Sequence, residues 1–144
     1  MKLNFKMSEL IYSKTALENQ IYNMPRLDEL DNLLELIINV LQPIREQFKS
    51  KVVINSGYRN QKLNTLVKGA KNSQHLKGQA ADFTVKNHSI EEVIEWIKEN
   101  LVFDQLINEY DKWIHVSYNS RGINRKEVLY LKTKKINVAQ RVQH

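Results

Sequence analysis

Four histidines punctuate this chain, at positions 75, 88, 115 and 144, and two of them have surroundings that suit an imidazole metal ligand. His75 lies in a stretch rich in Gly, Asn and Ser and is followed seven residues later by Asp82, while His115 stands between Ile114 and Val116. Two imidazoles and one carboxylate are a usual ligand set for catalytic zinc, with a fourth position left for a water whose pKa falls to about 7. Such an open site is hydrolytic. The chain has no cysteine, so a thiolate site is excluded and any zinc must be held by imidazole and carboxylate. Taken singly, each residue has a plainer explanation: a polar loop histidine, an ion-pairing aspartate, a hydrogen-bonded strand histidine. The case rests on the three together. His88 precedes a helix cap and His144 lies in a tail, and neither is assigned to metal.

The elements that must position these residues can be read from periodicity. Residues 79–85 and 113–118 read as strands, and alternation sends side chains to opposite faces. Ala81, Phe83 and Val85 form one apolar face and Ile114, Val116 and Tyr118 another, so Asp82 and His115 both point away from the core. If the two strands are neighbours, Asp82 and His115 converge and the 67–78 loop can bring His75 to them. Further strands are expected at 52–54, 103–109 and 127–131. Leu30, Leu33, Leu34, Ile37, Ile38 and Leu41 recur at helical spacing from Leu27 onward, with Pro43 expected to bend or divide that helix before Phe48. Ser8 and Ser13 are expected to open short helical turns, Asn60 or Gln61 a short helix through Leu66, and Ser89 with Glu92 marks the head of a helix through Ile97. The predicted fold class is α+β: a mainly antiparallel sheet with helices packed on one face and the zinc site on the open face.

Several blocks carry a resemblance: Ser56-Gly57-Tyr58-Arg59, Leu63-Asn64, the run from Ser73 through His75 and Gly78 to Ala80-Ala81-Asp82, and Trp113-Ile114-His115-Val116. Together they resemble the zinc D-alanyl-D-alanine carboxypeptidase family, to which phage endopeptidases of the cell wall belong and whose superfamily includes the hedgehog-type zinc domains. The helical N-terminus with Leu41-Gln42-Pro43-Ile44-Arg45-Glu46 is similar to the single-domain subgroup. The resemblance implies one zinc ion on His75, Asp82 and His115, and a role for Arg59 at the substrate carboxylate or the oxyanion formed during attack. Guanidinium chemistry agrees, since its fixed fork of donors suits an oxygen gaining charge.

The general base is less directly marked. Many members of that family have an acid three residues before the last histidine, where this chain has Lys112; the hedgehog-type branch has a glutamate six before it, which Glu109 matches. A three-residue connection would pair Glu109 with Trp113 and place it on the face of His115, whereas a two-residue connection would turn it away. Asp111 is the runner-up. Ser73, Tyr58 and Trp113 are the further candidates for contact with substrate.

With 144 residues, 42% hydrophobic and 26% charged, the composition is that of an ordinary globular protein. One zinc peptidase domain is expected over 1–144, made of a helical N-terminal cap (1–50), a catalytic core (51–131) and a basic tail (132–144). The apolar stretches are far short of the roughly 20 residues that span a bilayer, and the start reads as no signal peptide. The expected location is therefore the cytoplasm until release to the wall during phage lysis, or the virion. A net charge of +6 favours an anionic partner. Arg121, Arg125, Lys126, Lys132, Lys134, Lys135 and Arg141 have few interleaved aromatics, so a solvated or wall-attracted face is expected rather than nucleic-acid binding. The expected function is hydrolysis of peptidoglycan stem peptides by a monomer, as an endolysin-type endopeptidase; the alternatives are a D-alanyl-D-alanine carboxypeptidase and a non-catalytic zinc-containing binding module.

Overall fold

Strand alternation decides which side of this protein is core and which is open. In the computed structural model, which describes residues 2–132, the strands are β1 (Val52–Ser56), β2 (Ala80–Val85), β3 (Gln105–Glu109), β4 (Trp113–Ser117) and β5 (Glu127–Leu131). They form one sheet in the order β1-β2-β4-β3-β5, antiparallel throughout except for the parallel pair β3 and β5. Ala81, Phe83, Ile114, Val116 and Leu106 are buried on one face. Their partners come from α3 (Leu27–Leu36), a wide π-type turn (Ile37–Leu41), α4 (Gln42–Phe48) and α6 (Ile90–Asn100), which supply Leu33, Leu36, Val40, Ile44, Val93, Ile94 and Ile97 to the same core. The result is the expected α+β architecture, with a mostly antiparallel sheet and helices against one face.

Local chemistry explains where the elements begin. Ser89 Oγ accepts from Glu92 N while Glu92 Oε1 accepts from Ser89 N, the reciprocal cap anticipated for α6. Asn60 caps α5 (Gln61–Leu66) through Leu63 N, and Ser13 caps α2 (Lys14–Glu18) through Ala16 N. Ser8, in contrast, lies inside α1 (Met7–Ile11); the cap position is Lys6, whose backbone N–H donates to Glu9. The long helix is divided near Pro43: the chain widens over 37–41, and Pro43 falls in the first turn of α4. The strand expected from 103 starts at Gln105, because the backbone bends at Asp104.

The N-terminal helices fix the approach to β2. Tyr58 N donates to Leu10 O at 2.7 Å, and a Cβ on Gly57 would stand 2.2 Å from that same carbonyl oxygen, so only glycine lets α1 close against the end of β1. Gly78 has φ +73°, and a Cβ there would meet Glu29 O of α3 at 2.5 Å. Both glycines flank the segment that carries His75. Among the described residues no helix is long and apolar enough to cross a membrane.

Candidate metal centre

The open face of the sheet is a grid set by register. Asp82 pairs with His115 across β2 and β4, His115 with Ile107 across β4 and β3, and Ile107 with Leu129 across β3 and β5. Cross-strand partners share a face. Asp82 and His115 therefore converge directly, with Asp82 Oδ1 2.9 Å from His115 Nδ1. His75 reaches the same oxygen from outside the sheet, its Nε2 standing 3.3 Å away.

His75 is placed by a short 3-10 turn (Gln74–Lys77) rather than by an irregular loop. Ser73 Oγ caps this turn by accepting from His75 N, and left-handed Gly78 ends it. Two bonds then tie it to the chain after β1: Arg59 N donates to His75 O at 3.1 Å, and His75 Nδ1 donates to Gly57 O at 2.7 Å. The second bond puts the ring proton on Nδ1 and turns the lone pair of Nε2 toward Asp82. Burial pushes the His75 imidazole below its ordinary value, against the pull of Asp82, which favours the neutral, ligating form. Burial acts to raise the Asp82 carboxyl, but the hydrogen bond from His115, with the His75 ring beside it, outweighs that and holds the group well below the usual carboxylate range.

These donors fit a zinc ion. The three offer one ligand atom each, all within 4.8 Å of one another. Two ligand atoms on a tetrahedral ion with bonds of about 2.1 Å stand roughly 3.4 Å apart, close to the two separations from Asp82 Oδ1.

A sequence profile described as Peptidase M15 matches residues 3–117. The chain belongs to the peptidase M15 family. Comparison with curated proteins gives no match. Peptidases of the M15 family are metal-dependent and act on peptidoglycan, and in this M15 chain the cluster that could hold the metal is His75, Asp82 and His115.

Around the cluster lies an open cleft of about 980 Å³ lined by Arg59, Ser73, Glu109 and Trp113, among others. Glu109 pairs with Trp113 across a three-residue connection in which Tyr110 and Asp111 have φ of 63° and 56°. Glu109 is thereby on the face of His115. Arg59 is pushed below its ordinary value by burial, with the fields of Asp82 and Glu109 opposing that shift. Asp111 is held at the turn instead, through Asn108 Nδ2 to Asp111 Oδ1 and Asp111 N to Asn108 Oδ1, both 2.8 Å.

Tyr58 does not reach the cleft. It is 6% exposed and packs in the main core, where burial and then Glu29 push its phenol up to about 12. The strand break at Gly57 turns it inward beside Arg59, which alternation alone does not reveal. Arg125 stays half exposed at the cleft, and its guanidinium also grips the buried Asp104 through Nε and Nη2 at 2.9 and 2.8 Å. No local pattern signals a pair 21 residues apart. Lys134, Lys135, Arg141 and His144 lie outside the described residues.

Proposed function

We propose that this M15 chain is a zinc peptidase that cuts inside peptidoglycan stem peptides, as a phage-type endolysin. The observation that carries the reading is the His75–Asp82–His115 cluster on the floor of an open cleft, with Glu109 on the same sheet face. His75 Nε2, Asp82 Oδ1 and His115 Nδ1 would hold the zinc. When bound, zinc supplies Lewis acidity that makes water acidic and polarises a carbonyl.

The protein's own groups do the rest. Glu109 takes a proton from the attacking water and returns it to the leaving amine, work typically worth roughly 10² to 10⁴ in rate. Arg59, whose backbone N–H donates to His75 O and whose side chain lines the cleft, would offer its guanidinium to the oxygen that gains charge during attack. Ser73 holds the turn that carries His75 and Trp113 walls the cleft beside Glu109. Asp111, occupied by Asn108 at the turn, is not the base.

An internal cut is favoured over removal of a terminal residue because the cleft continues past the cluster to Asn119 and Arg125, so a peptide can lie across it. Mass analysis of fragments from a peptidoglycan digest tests this. Release of multi-residue stem fragments is expected; loss of single D-alanine residues would make the chain a carboxypeptidase, and an unaltered wall would leave a binding module.

A further inference from the structure

Charge is unevenly distributed along this chain. The stretch 47–81 holds seven lysine and arginine residues and no Asp or Glu, one cation more than the +6 of the whole molecule, so the rest of the chain taken together is slightly acidic. Its segment 67–77 forms one wall of the metal cleft, where Lys68 and Lys77 line the space along with Gly69, Ala70, Asn72 and the turn that bears His75. Lys68, Lys71 and Lys77 are exposed, and among the described residues none of the three forms an ion pair. By contrast, two carboxylates of the cleft are already matched, Asp82 by the two imidazoles and Asp104 by Arg125. The wall therefore presents unmatched ammonium charge beside the path that a peptide must take.

Lys68 stands where glycine is the usual residue. Beyond the end of α5, Lys68 N donates to Thr65 O at 3.1 Å and Gly69 N to Asn64 O at 2.8 Å, the paired bonds of a Schellman turn, and Lys68 takes its left-handed position with φ 60°. A side chain at positive φ crowds the backbone, which glycine avoids. The turn thus has no need of a lysine. The backbone of the wall is held at both ends, because Asn64 Nδ2 donates to Ala70 O at 3.0 Å and Asn32 Nδ2 to Lys77 O at 2.9 Å. Lys77 follows the ligand His75 by two residues, so a group that it attracts belongs to substrate near the cut. Ammonium groups on flexible stems supply charge rather than a fixed fork of donors, which suits acidic peptide in general more than one group at one defined spot.

Resting on the peptidase reading above, we infer that the 67–77 wall selects acidic peptides, with Lys68 and Lys77 attracting carboxylates of the substrate that lies in the cleft. The test uses two synthetic stem peptides with the same scissile bond, one with free side-chain carboxylates and one with those carboxylates as primary amides. Zinc-loaded wild type is expected to prefer the acidic peptide by about tenfold in kcat/KM at low salt, about threefold for each exposed charge contact, and the preference is expected to shrink as salt rises. In the double variant Lys68→Gly with Lys77→Gln the ratio is expected to fall to about one. Lys68→Gly by itself is expected to melt no lower than wild type, since glycine suits the left-handed position, so its share of the lost preference is read as lost charge. The ratio is internal to each protein, and partial loss of folded material does not alter it. Equal cleavage of both peptides by wild type, or a preference that survives in the double variant, overturns the inference and leaves the peptidase reading intact. Should wild type cut neither peptide, the peptidase reading fails, and calorimetric titration with the same two peptides decides the matter: tighter binding of the acidic peptide that vanishes in the double variant upholds the role of the wall, and equal affinities, or a difference that persists, dismiss it.

Discussion

Asp82 Oδ1 faces two imidazole nitrogens at once, His115 Nδ1 at 2.9 Å from the neighbouring strand and His75 Nε2 at 3.3 Å from the 3-10 turn. A single carboxylate oxygen thus joins two parts of the chain that the sequence separates by 40 residues.

Metal binding follows first from this geometry. Elemental analysis of purified protein is expected to find about one zinc per chain, and His115→Ala to lose it. Chelation is expected to lower the Tm of wild type, since a ligand that binds only the folded state stabilises it, while leaving His115→Ala unmoved. Stoichiometric zinc in the mutant would remove His115 from the ligand set.

Glu109 and Asp111 make opposite predictions. Glu109→Gln should keep its zinc yet lose roughly 10²-fold or more of wall hydrolysis. Asp111→Asn should retain most activity, because Asp111 faces Asn108 at the turn rather than the cleft. The reverse result in a turbidity assay on purified peptidoglycan would exchange the two roles.

The Asp104–Arg125 pair predicts a pH dependence of stability. The hydrogen bond from Arg125 outweighs burial and holds the Asp104 carboxyl below its ordinary value in the folded protein. A folded value below the unfolded one, about 4, gives stability that is fully present above that pH and is lost as pH falls through the folded value. Asp104→Asn should therefore cost about 1–3 kcal/mol near pH 7, with the gap from wild type closing below about pH 4. Urea melts at several pH values measure it, and a gap independent of pH would show that the carboxylate charge is not what matters.

Gly57 links the N-terminal helix to the site. Gly57→Ala would drive a Cβ into Leu10 O and displace the carbonyl that accepts from His75 Nδ1. A loss of about 1–3 kcal/mol in stability is expected, together with weaker zinc retention in a competition with a chelator. An alanine variant with wild-type melting and zinc affinity would show that the backbone has room to yield.

Electrostatic attraction to the wall is the last expectation. Digestion should slow as ionic strength rises, because the +6 charge acts through solvent over a distance set by salt. A flat response between low and physiological salt would show that long-range charge plays no part.

By itself the sequence determined which residues are candidate ligands, the faces that Asp82 and His115 occupy and the capped heads of α5 and α6, since alternation and capping are local relations within a few residues. His75, Asp82 and His115 were legible for that reason, as were the blocks around Arg59. Only tertiary structure decided that β2 lies beside β4, that Tyr110 and Asp111 take left-handed conformations so that Glu109 faces His115, that Tyr58 turns into the core, and that Arg125 pairs with Asp104. Strand order depends on which arrangement buries Phe83, Ile114 and Leu106 against α3, α4 and α6. That burial sums contacts far apart in the chain, and no short stretch of residues contains it.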